Sequence, residues 1–142
     1  MATPGPKLTL EIATPSGLAL QTTADRVEAP SVNGEFGVLP GFLPIIAALR
    51  AGVVHVHDGS KRQVFAVGAG FVEASDDRVQ LITDSFAEAS QVNGADASKE
   101  VDDAANALKN FSGDPNSAER DELERNLGWA KAKEEVARLS RH

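Results

Sequence analysis

The glycines and prolines of this 142-residue chain are concentrated in its first two thirds. Six of the seven prolines precede residue 45, and ten of the 12 glycines precede residue 95. Because these residues interrupt helices and favour turns, the first part should form short strands. From Ala95 onward, alanine, glutamate, lysine and leucine favour helices. The sequence therefore predicts an N-terminal antiparallel β-sandwich over 1–88 and a C-terminal antiparallel two-helix hairpin over 92–142.

Alternating apolar residues predict the strands of the first domain. Leu8, Leu10 and Ile12 share one face of a first strand, because successive side chains of a strand point to opposite sides. Asp58-Gly59 lies between two apolar runs and is a strong signal for a β-hairpin. Asp76-Asp77 predicts a second turn.

Apolar residues at helical spacing predict two helices in the second domain. They are Ala97, Val101, Ala104, Leu108 and Phe111 in the first helix, and Leu123, Leu127, Trp129, Ala130, Ala132, Val136 and Leu139 in the second. Asn93 or Asp96 is expected to cap the first helix. Gly113 should end it in the left-handed conformation, and Asp114 should cap the second. Gly128 should weaken the hairpin. Because their apolar stripes are rich in alanine, the two helices must pack on the sandwich, on each other or on a partner.

Charge and composition exclude several classes of partner. The chain has 14 Lys and Arg against 21 Asp and Glu, a net charge of −7, which argues against binding to nucleic acid. No stretch approaches the roughly 18 apolar residues of a membrane helix, and the N-terminus does not resemble a signal peptide. Direct membrane insertion is therefore not expected. The absence of cysteine excludes disulfides and thiolate metal sites.

Candidate chemical sites are few. His55 and His57 share one face of a predicted strand and, with Asp58, offer a possible metal site. The polar face of a half-buried strand is the favoured interpretation, because a ligand set needs three or four groups. Gly68-Ala69-Gly70 has phosphate-loop glycines, but a strand follows it, which favours close strand packing. We expect no catalytic residue, resident metal or cofactor.

One glycine- and proline-rich segment, residues 31–46, predicts an ordered loop that brackets a short strand. It resembles the signature of the epsilon subunit of F-type ATP synthase, called delta in mitochondria. That family has the pattern Gly-Glu-hydrophobic-Gly-hydrophobic-x-Pro-Gly-His-x-Pro, and Phe42 replaces its histidine here. The matching segment contains Gly34, Glu35, Phe36, Gly37, Pro40, Gly41, Phe42 and Pro44.

The resemblance extends over most of the chain. Residues 8–17 are similar to the family's first strand and turn, and residues 49–54 are similar to the start of one of its later strands. Residues 68–74 resemble its Gly-Gly-hydrophobic-hydrophobic-Glu strand, and residues 79–84 its last strand. The order of sandwich and helical hairpin is also that of the family.

The resemblance implies a non-catalytic rotor subunit in the central stalk of a proton-translocating ATP synthase. The sandwich would bind the gamma subunit and the ring of c subunits, and the eight matching residues from Gly34 to Pro44 would face the ring. The chain would then be a peripheral protein on the cytoplasmic face of the bacterial inner membrane.

In this family the helices pack against the sandwich or extend along gamma to the catalytic alpha and beta subunits. Extended helices inhibit ATP hydrolysis, and the cations available for acidic loops of beta are Lys131, Lys133, Arg138 and Arg141. Some members bind ATP through Ile/Leu-Asp-x-x-Arg-Ala. The aspartate and arginine of that motif are Asn93 and Asp96 in this chain, so nucleotide binding is not expected.

Two other functions are compatible with the residues alone. One is an interaction module with an unrelated sandwich fold. The other is a metal-dependent hydrolase that uses His55 and His57. Association with gamma would exclude the first, and a bound stoichiometric metal would favour the second.

Overall fold

The computed structural model describes residues 6–42 and 44–140, which form ten β-strands followed by a 3-10 turn at Ala89–Gln91 and two α-helices. The strands are β1 Leu8–Thr14, β2 Gly17–Ala24, β3 Arg26–Ser31, β4 Gly34–Val38, β5 Ile45–Leu49, β6 Gly52–Asp58, β7 Lys61–Val67, β8 Gly70–Ser75, β9 Arg78–Thr83 and β10 Phe86–Glu88. The helices are α1 Gly94–Lys109 and α2 Ala118–Leu139. Neither helix has both the length and the hydropathy needed to cross a membrane.

The strands form two layers, which we name the helix-side sheet and the open sheet. The helix-side sheet has the order β4-β3-β6-β7-β10, and the open sheet has the order β5-β8-β9-β1-β2. Among the described residues, Ser31 and Leu49 are the one ladder pair between the two layers, and the Val32 and Arg50 N–H groups add hydrogen bonds beside it. The predicted fold class is confirmed, although β1 pairs with β9 in parallel. No hairpin connects those two strands, so their local sequence did not set their direction.

Two apolar clusters hold the layers together. The core between the sheets contains Leu8, Leu10 and Ile12, all fully buried as their alternation predicts. A second cluster lies between the helix-side sheet and α2, where Val136 packs near Val53. The alanine-rich stripe of α2 therefore packs on the sandwich, as expected for a hairpin too weak to be stable alone.

Both predicted turns are present. The two-residue turn Gly59-Ser60 joins β6 to β7, and Asp76-Asp77 joins β8 to β9. Asp76 and Asp77 have φ angles of 51° and 59°, the left-handed conformation that a type I′ turn requires at both central positions. Gly68-Ala69-Gly70 is a point of close strand approach, as favoured above, since a Cβ at Gly70 would lie 1.8 Å from the Ile82 carbonyl oxygen.

Two predicted helix ends are wrong. Asn93 caps α1 as expected, but α1 ends at Lys109 and its C-cap is Asn110, not Gly113. Gly113 instead leaves room for the Phe111 ring, because a Cβ there would lie 2.7 Å from the ring. Similarly, α2 is capped by Ser117, whose hydroxyl accepts the Arg120 N–H.

The Asp114 side chain, predicted to cap α2, accepts the N–H of Asn116 instead and stabilises the turn before the helix. Gly128 also has a role that differs from the prediction. It lies where α2 crosses the β5–β6 corner, and a Cβ at this position would be 3.3 Å from the Ala51 Cβ. The glycine that weakens the helix thus allows α2 to approach the sandwich closely.

Candidate functional site

The segment predicted to face the c-ring is divided by β4. Glu35 lies near the start of this strand, opposite Pro30, whereas Gly41 and Phe42 follow its end. The turn before β4 contacts Ala48 near the end of β5, whereas Gly41 contacts Asp77 in the β8–β9 turn, so these groups lie at opposite ends of the sandwich. The structure therefore separates the eight residues into two surfaces.

The first surface is the β3–β4 turn, whose backbone is held by three hydrogen bonds. The Ser31 hydroxyl donates to the Gly34 carbonyl at 2.6 Å and accepts the Asn33 N–H at 3.1 Å. The Val32 N–H donates to the Ala48 carbonyl at 3.1 Å, which connects the turn to β5. Glu35 is exposed beside this turn. A partner would therefore meet a carboxylate on a fixed backbone.

The second surface is the loop after β4. The Gly41 N–H donates to the Asp77 carboxylate at 2.8 Å, and the Phe42 N–H to the Leu39 carbonyl at 3.2 Å. Phe42 is half-buried and packs against the core between the sheets. Its ring therefore supports the loop, in addition to any contact with a partner.

An exposed row of apolar residues crosses the outer face of the open sheet. Each residue of the row is paired in register with the next one on the adjacent strand. In order across the five strands, the residues are Ala48, Phe71, Ile82, Ala13 and Leu18. We name these residues the apolar row. The row covers the width of the sheet and, in the described residues, no helix or loop packs over it.

The large side chains of this face are unusually exposed. Phe71 is 61% exposed, Leu18 57%, and Ile46, one row away on β5, 81%. Apolar groups this close together on a monomer commonly mark a protein-binding surface. The helix-side sheet differs, because α2 covers its outer face around Val53 and Ala66.

The apolar row was not predicted from the sequence, although a signal for it was present. Ile45-Ile46, Phe71-Val72 and Leu81-Ile82 are adjacent apolar pairs within strands. Because neighbouring residues point to opposite faces, each pair makes both faces of its strand apolar. Only the register then shows that their outward members meet in one row.

Three of the four predicted inhibitory cations lie in the described part of the chain, and each has different surroundings. Lys131 is exposed and lines a cleft of about 950 Å³ between α2 and the sandwich, together with Glu35. Lys133 faces α1, where its ammonium binds the Glu100 carboxylate and lies 5.5 Å from the centre of the Trp129 ring. Arg138 is 3.9 Å from Glu135 on its own helix. Arg141 lies outside the described residues.

Asn93 and Asp96, which occupy the positions of the family's nucleotide motif, have a structural role at the start of α1. The Asn93 side chain accepts the Asp96 N–H at 3.1 Å, and the Asp96 carboxylate lies in the first turn. An acidic group there interacts favourably with the helix dipole.

The two strand histidines belong to a polar network on the outer face of the helix-side sheet. The His57 Nε2 lies 2.6 Å from Glu28, and the hydrogen bond lowers the pKa of Glu28 below its ordinary value. The Arg62 guanidinium donates to the His55 Nδ1 at 2.9 Å. Within residues 6–42 and 44–140, no three residues of metal-ligand type come together.

A charged cluster at one end of the sandwich was also missed. The Lys7 ammonium contacts the Asp25 carboxylate at 2.6 Å and binds Asp58, and the Gly59 N–H donates to Asp25. The hydrogen bonds to Asp25 and Asp58 raise the pKa of Lys7, and the bond from Lys7 lowers that of Asp25. No local pattern links residues 7 and 58, so only the fold reveals the cluster.

Comparison with known families gives one match that covers most of the chain. A family model described as ATP synthase, Delta/Epsilon chain, beta-sandwich domain matches residues 7–89. The ATP synthase epsilon chain of Synechococcus sp. (strain RCC307) is 33% identical over 126 residues, which are 89% of this chain and 93% of the relative. That of Anaeromyxobacter sp. (strain K) is 37% identical over 101 residues, 71% of this chain and 76% of the relative.

Solved structures share the fold at lower identity. A chain of the Euglena gracilis mitochondrial ATP synthase, in an OSCP/F1/c-ring structure, superposes with a TM-score of 0.75 at 19% identity, over 99% of this chain and 85% of that one. A chain of the Tetrahymena thermophila mitochondrial ATP synthase central stalk and c-ring gives a TM-score of 0.56 at 14% identity, over 99% and 100%.

Proposed function

Because this chain belongs to the delta/epsilon family of ATP synthase subunits, we propose that it is a non-catalytic subunit of the central stalk, which connects the c-ring to the catalytic head. The match covers both the sandwich and the helices, since a relative aligns over 89% of the chain. An unrelated interaction module is therefore not favoured. A hydrolase using His55 and His57 is not favoured either, because Arg62 and Glu28 already engage these side chains.

The apolar row supports the outer face of the open sheet as the binding surface for gamma. Burying one large apolar side chain contributes about 1.5–3 kcal/mol, so covering Phe71, Ile82 and Leu18 gives a favourable interface core. Aromatic residues near the centre of an interface commonly dominate its free energy. Phe71, which lies between Ala48 and Ile82, is the candidate for that role.

Phe71→Asp tests this assignment. Phe71 is mostly exposed, so the variant should fold, whereas loss of a central aromatic contact costs about 2 kcal/mol or more, about thirtyfold in affinity. Leu39→Asp is the matched control, because Leu39 is 56% exposed in the loop after β4, away from the row. Equal affinity of both variants for purified gamma would exclude the apolar row as its binding surface.

The β3–β4 turn supports a contact with the c-ring through Glu35. Its backbone is fixed, and its link to Ala48 connects it to one end of the apolar row. One surface can then contact gamma while the neighbouring turn reaches the ring. The loop containing Gly41, Phe42 and Pro44 lies at the other end of the sandwich, so it should not reach the ring surface that Glu35 contacts.

Glu35→Gln should reduce proton-driven ATP synthesis in the reconstituted complex about two- to fivefold, because an exposed charged contact contributes up to about 1 kcal/mol. ATP hydrolysis by the detached catalytic head should not change. Glu119→Gln on α2 provides a control with the same loss of charge. If the Glu35 and control variants synthesise ATP equally well, the turn does not contribute to coupling.

The helical hairpin is proposed to inhibit ATP hydrolysis by extending toward the alpha and beta subunits. Small side chains such as Ala132 and Ala66 form much of its contact with the sandwich. Because such side chains bury little apolar area, the contact contributes little free energy, which supports a reversible association. Removing residues 112–142 should increase hydrolysis by the membrane-bound complex. Unchanged hydrolysis would show that these residues do not inhibit.

ATP binding by the isolated subunit is not expected at millimolar concentration. Asp96 places a negative charge where the family motif has arginine, and both Asn93 and Asp96 are engaged at the start of α1. Saturable heat in titration calorimetry would contradict this expectation.

In the assembled ATP synthase the chain would be bound to the membrane through the complex, on the cytoplasmic face in a bacterial cell. Labelling of intact and inverted membrane vesicles by a reagent that does not cross the membrane tests this orientation. Labelling of this subunit only in inverted vesicles is expected.

A further inference from the structure

The edge of the open sheet formed by β2 lacks the features that usually protect a sheet edge. Its eight residues, Gly17–Ala24, include no charged residue and no proline. Exposed edges normally carry charge, proline or very short strands, because unpaired backbone groups otherwise bind further strands. By contrast, β10 has three residues and ends with Glu88, and β4 carries Glu35.

The core is also incompletely covered at this edge. The residues of β1 that face the core, including Leu10 and Ile12, are fully buried. Their neighbours on β2, Thr22 and Leu20, face the same core but are only half-buried. One further strand alongside β2 would cover them.

The edge is continuous with the proposed gamma surface. Leu18 is the last member of the apolar row and lies on β2. A protein that covers the row from Phe71 to Leu18 therefore reaches the backbone of β2. A β-bulge between Ile12 and Ala13 shifts the register at this end, so the regular ladder on β2 runs from Leu20 to Ala24.

We propose that β2 is a strand-addition site at which the gamma subunit pairs an extended segment with Leu20–Ala24. The proposal rests on the proposed function, because the occupant is the protein that binds the apolar row. The added segment should be uncharged, with apolar side chains on the face that covers Leu20 and Thr22. Backbone hydrogen bonds would then fix the orientation that the apolar row alone leaves free.

Hydrogen exchange of the full chain, free and bound to gamma, tests the pairing. Every second amide of an edge strand points away from its sheet, so about half of the amides in residues 20–24 should exchange at least tenfold more slowly in the complex. The amides of β4, Gly34–Val38, are the internal control and should not change. A stable complex without protection in residues 20–24 would overturn the inference while leaving gamma binding intact.

Thr23→Lys provides a second test, since a lysine on an edge disfavours strand pairing. It should weaken gamma binding about tenfold, whereas Ser60→Lys, in the exposed β6–β7 turn, should not. Equal binding by the two variants would count against pairing. Failure of the unmodified chain to bind gamma would instead overturn the proposed function. A dimer of the free chain with the same β2 protection would assign the edge to a second copy and overturn gamma as its occupant.

Discussion

At the residue scale, the β8–β9 turn contains two adjacent aspartates in the left-handed conformation. Such a conformation is unfavourable for a residue with a Cβ, although aspartate tolerates it better than most. The two residues differ in their contacts, because the Asp77 carboxylate accepts the Gly41 N–H at 2.8 Å. Asp77 therefore connects this turn to the loop after β4.

Asp76→Gly should stabilise the protein by up to about 1 kcal/mol, since glycine adopts a positive φ without steric cost. Asp77→Gly relieves the same backbone but loses the bond to Gly41, so its gain should be smaller or absent. Urea unfolding of both variants measures the difference. Greater stabilisation by Asp77→Gly would show that its carboxylate contributes nothing to stability.

Asp25 predicts a pH dependence of stability. The bond from Lys7 lowers the pKa of Asp25 in the folded state, so its contribution is present above its ordinary pKa, about 3.9, and is lost as pH falls through the folded value. Asp25→Asn should lower the melting temperature at pH 7, and the difference should decrease below about pH 4. Thermal melts across this range provide the measurement, with Asp103→Asn as control. A difference independent of pH would indicate that the charge of Asp25 is not involved.

At the element scale, Gly128 combines a cost within α2 with a benefit at its contact. Gly128→Ala should stabilise the helical conformation of α2 by about 1 kcal/mol, because alanine has the higher helix propensity. However, the new Cβ would crowd Ala51. We expect weaker packing of the hairpin on the sandwich. Trp129 is the only tryptophan and lies at this contact, so its fluorescence should shift towards that of an exposed indole.

Asn126→Ala is the matched control, because it also favours helix formation in α2 but lies at an exposed position. It should stabilise the helix without changing Trp129 fluorescence. The same spectral shift in both variants would attribute the effect to helix propensity and not to Ala51.

The contact between the helices is also testable. Lys133 joins α2 to α1 through Glu100 and packs near the Trp129 ring, so the packed hairpin occupies one of the four proposed inhibitory cations. Glu100→Gln should destabilise the α1–α2 contact by less than about 1 kcal/mol, and 1 M salt should remove most of the difference. Helical circular dichroism during thermal unfolding measures it, with Asp103→Asn on the same helix as control. If Glu100→Gln destabilises the contact equally at low salt and in 1 M salt, the interaction is not electrostatic.

At the scale of the whole molecule, the sandwich and the hairpin are proposed as separable units. Among the described residues, those buried in the core between the sheets all lie on strands, and the cluster under α2 is smaller. A chain truncated after residue 91 should therefore fold and bind gamma with nearly full affinity. Circular dichroism and capture by purified gamma test both properties. A folded truncated chain without gamma binding would place part of the interface on the helices.

Much of this architecture follows from local chemistry. The alternation of apolar and polar residues placed Leu8, Leu10 and Ile12 in the core, and turn residues identified the hairpins at Asp58-Gly59 and Asp76-Asp77. Both the alternation and the turn signals depend on residues that are close together in the chain. The family resemblance likewise depended on ordered local motifs. Helix ends were less predictable, since Asp114 and Ser117 are both competent caps and local sequence does not choose between them.

The proposed binding surfaces depend on strand register and on the layer to which each strand belongs. A strand sequence does not state which strand becomes its neighbour, so Phe71, Ile82 and Leu18 become one apolar row only when β8, β9, β1 and β2 are aligned. Conversely, residues close in sequence such as Glu35 and Phe42 lie at opposite ends of the sandwich because β4 extends between them. The sequence by itself determined the fold class and the family, because these depend on local pattern. Tertiary structure alone decided which side chains share a surface, because pairing across the sheets joins residues that are distant in the chain.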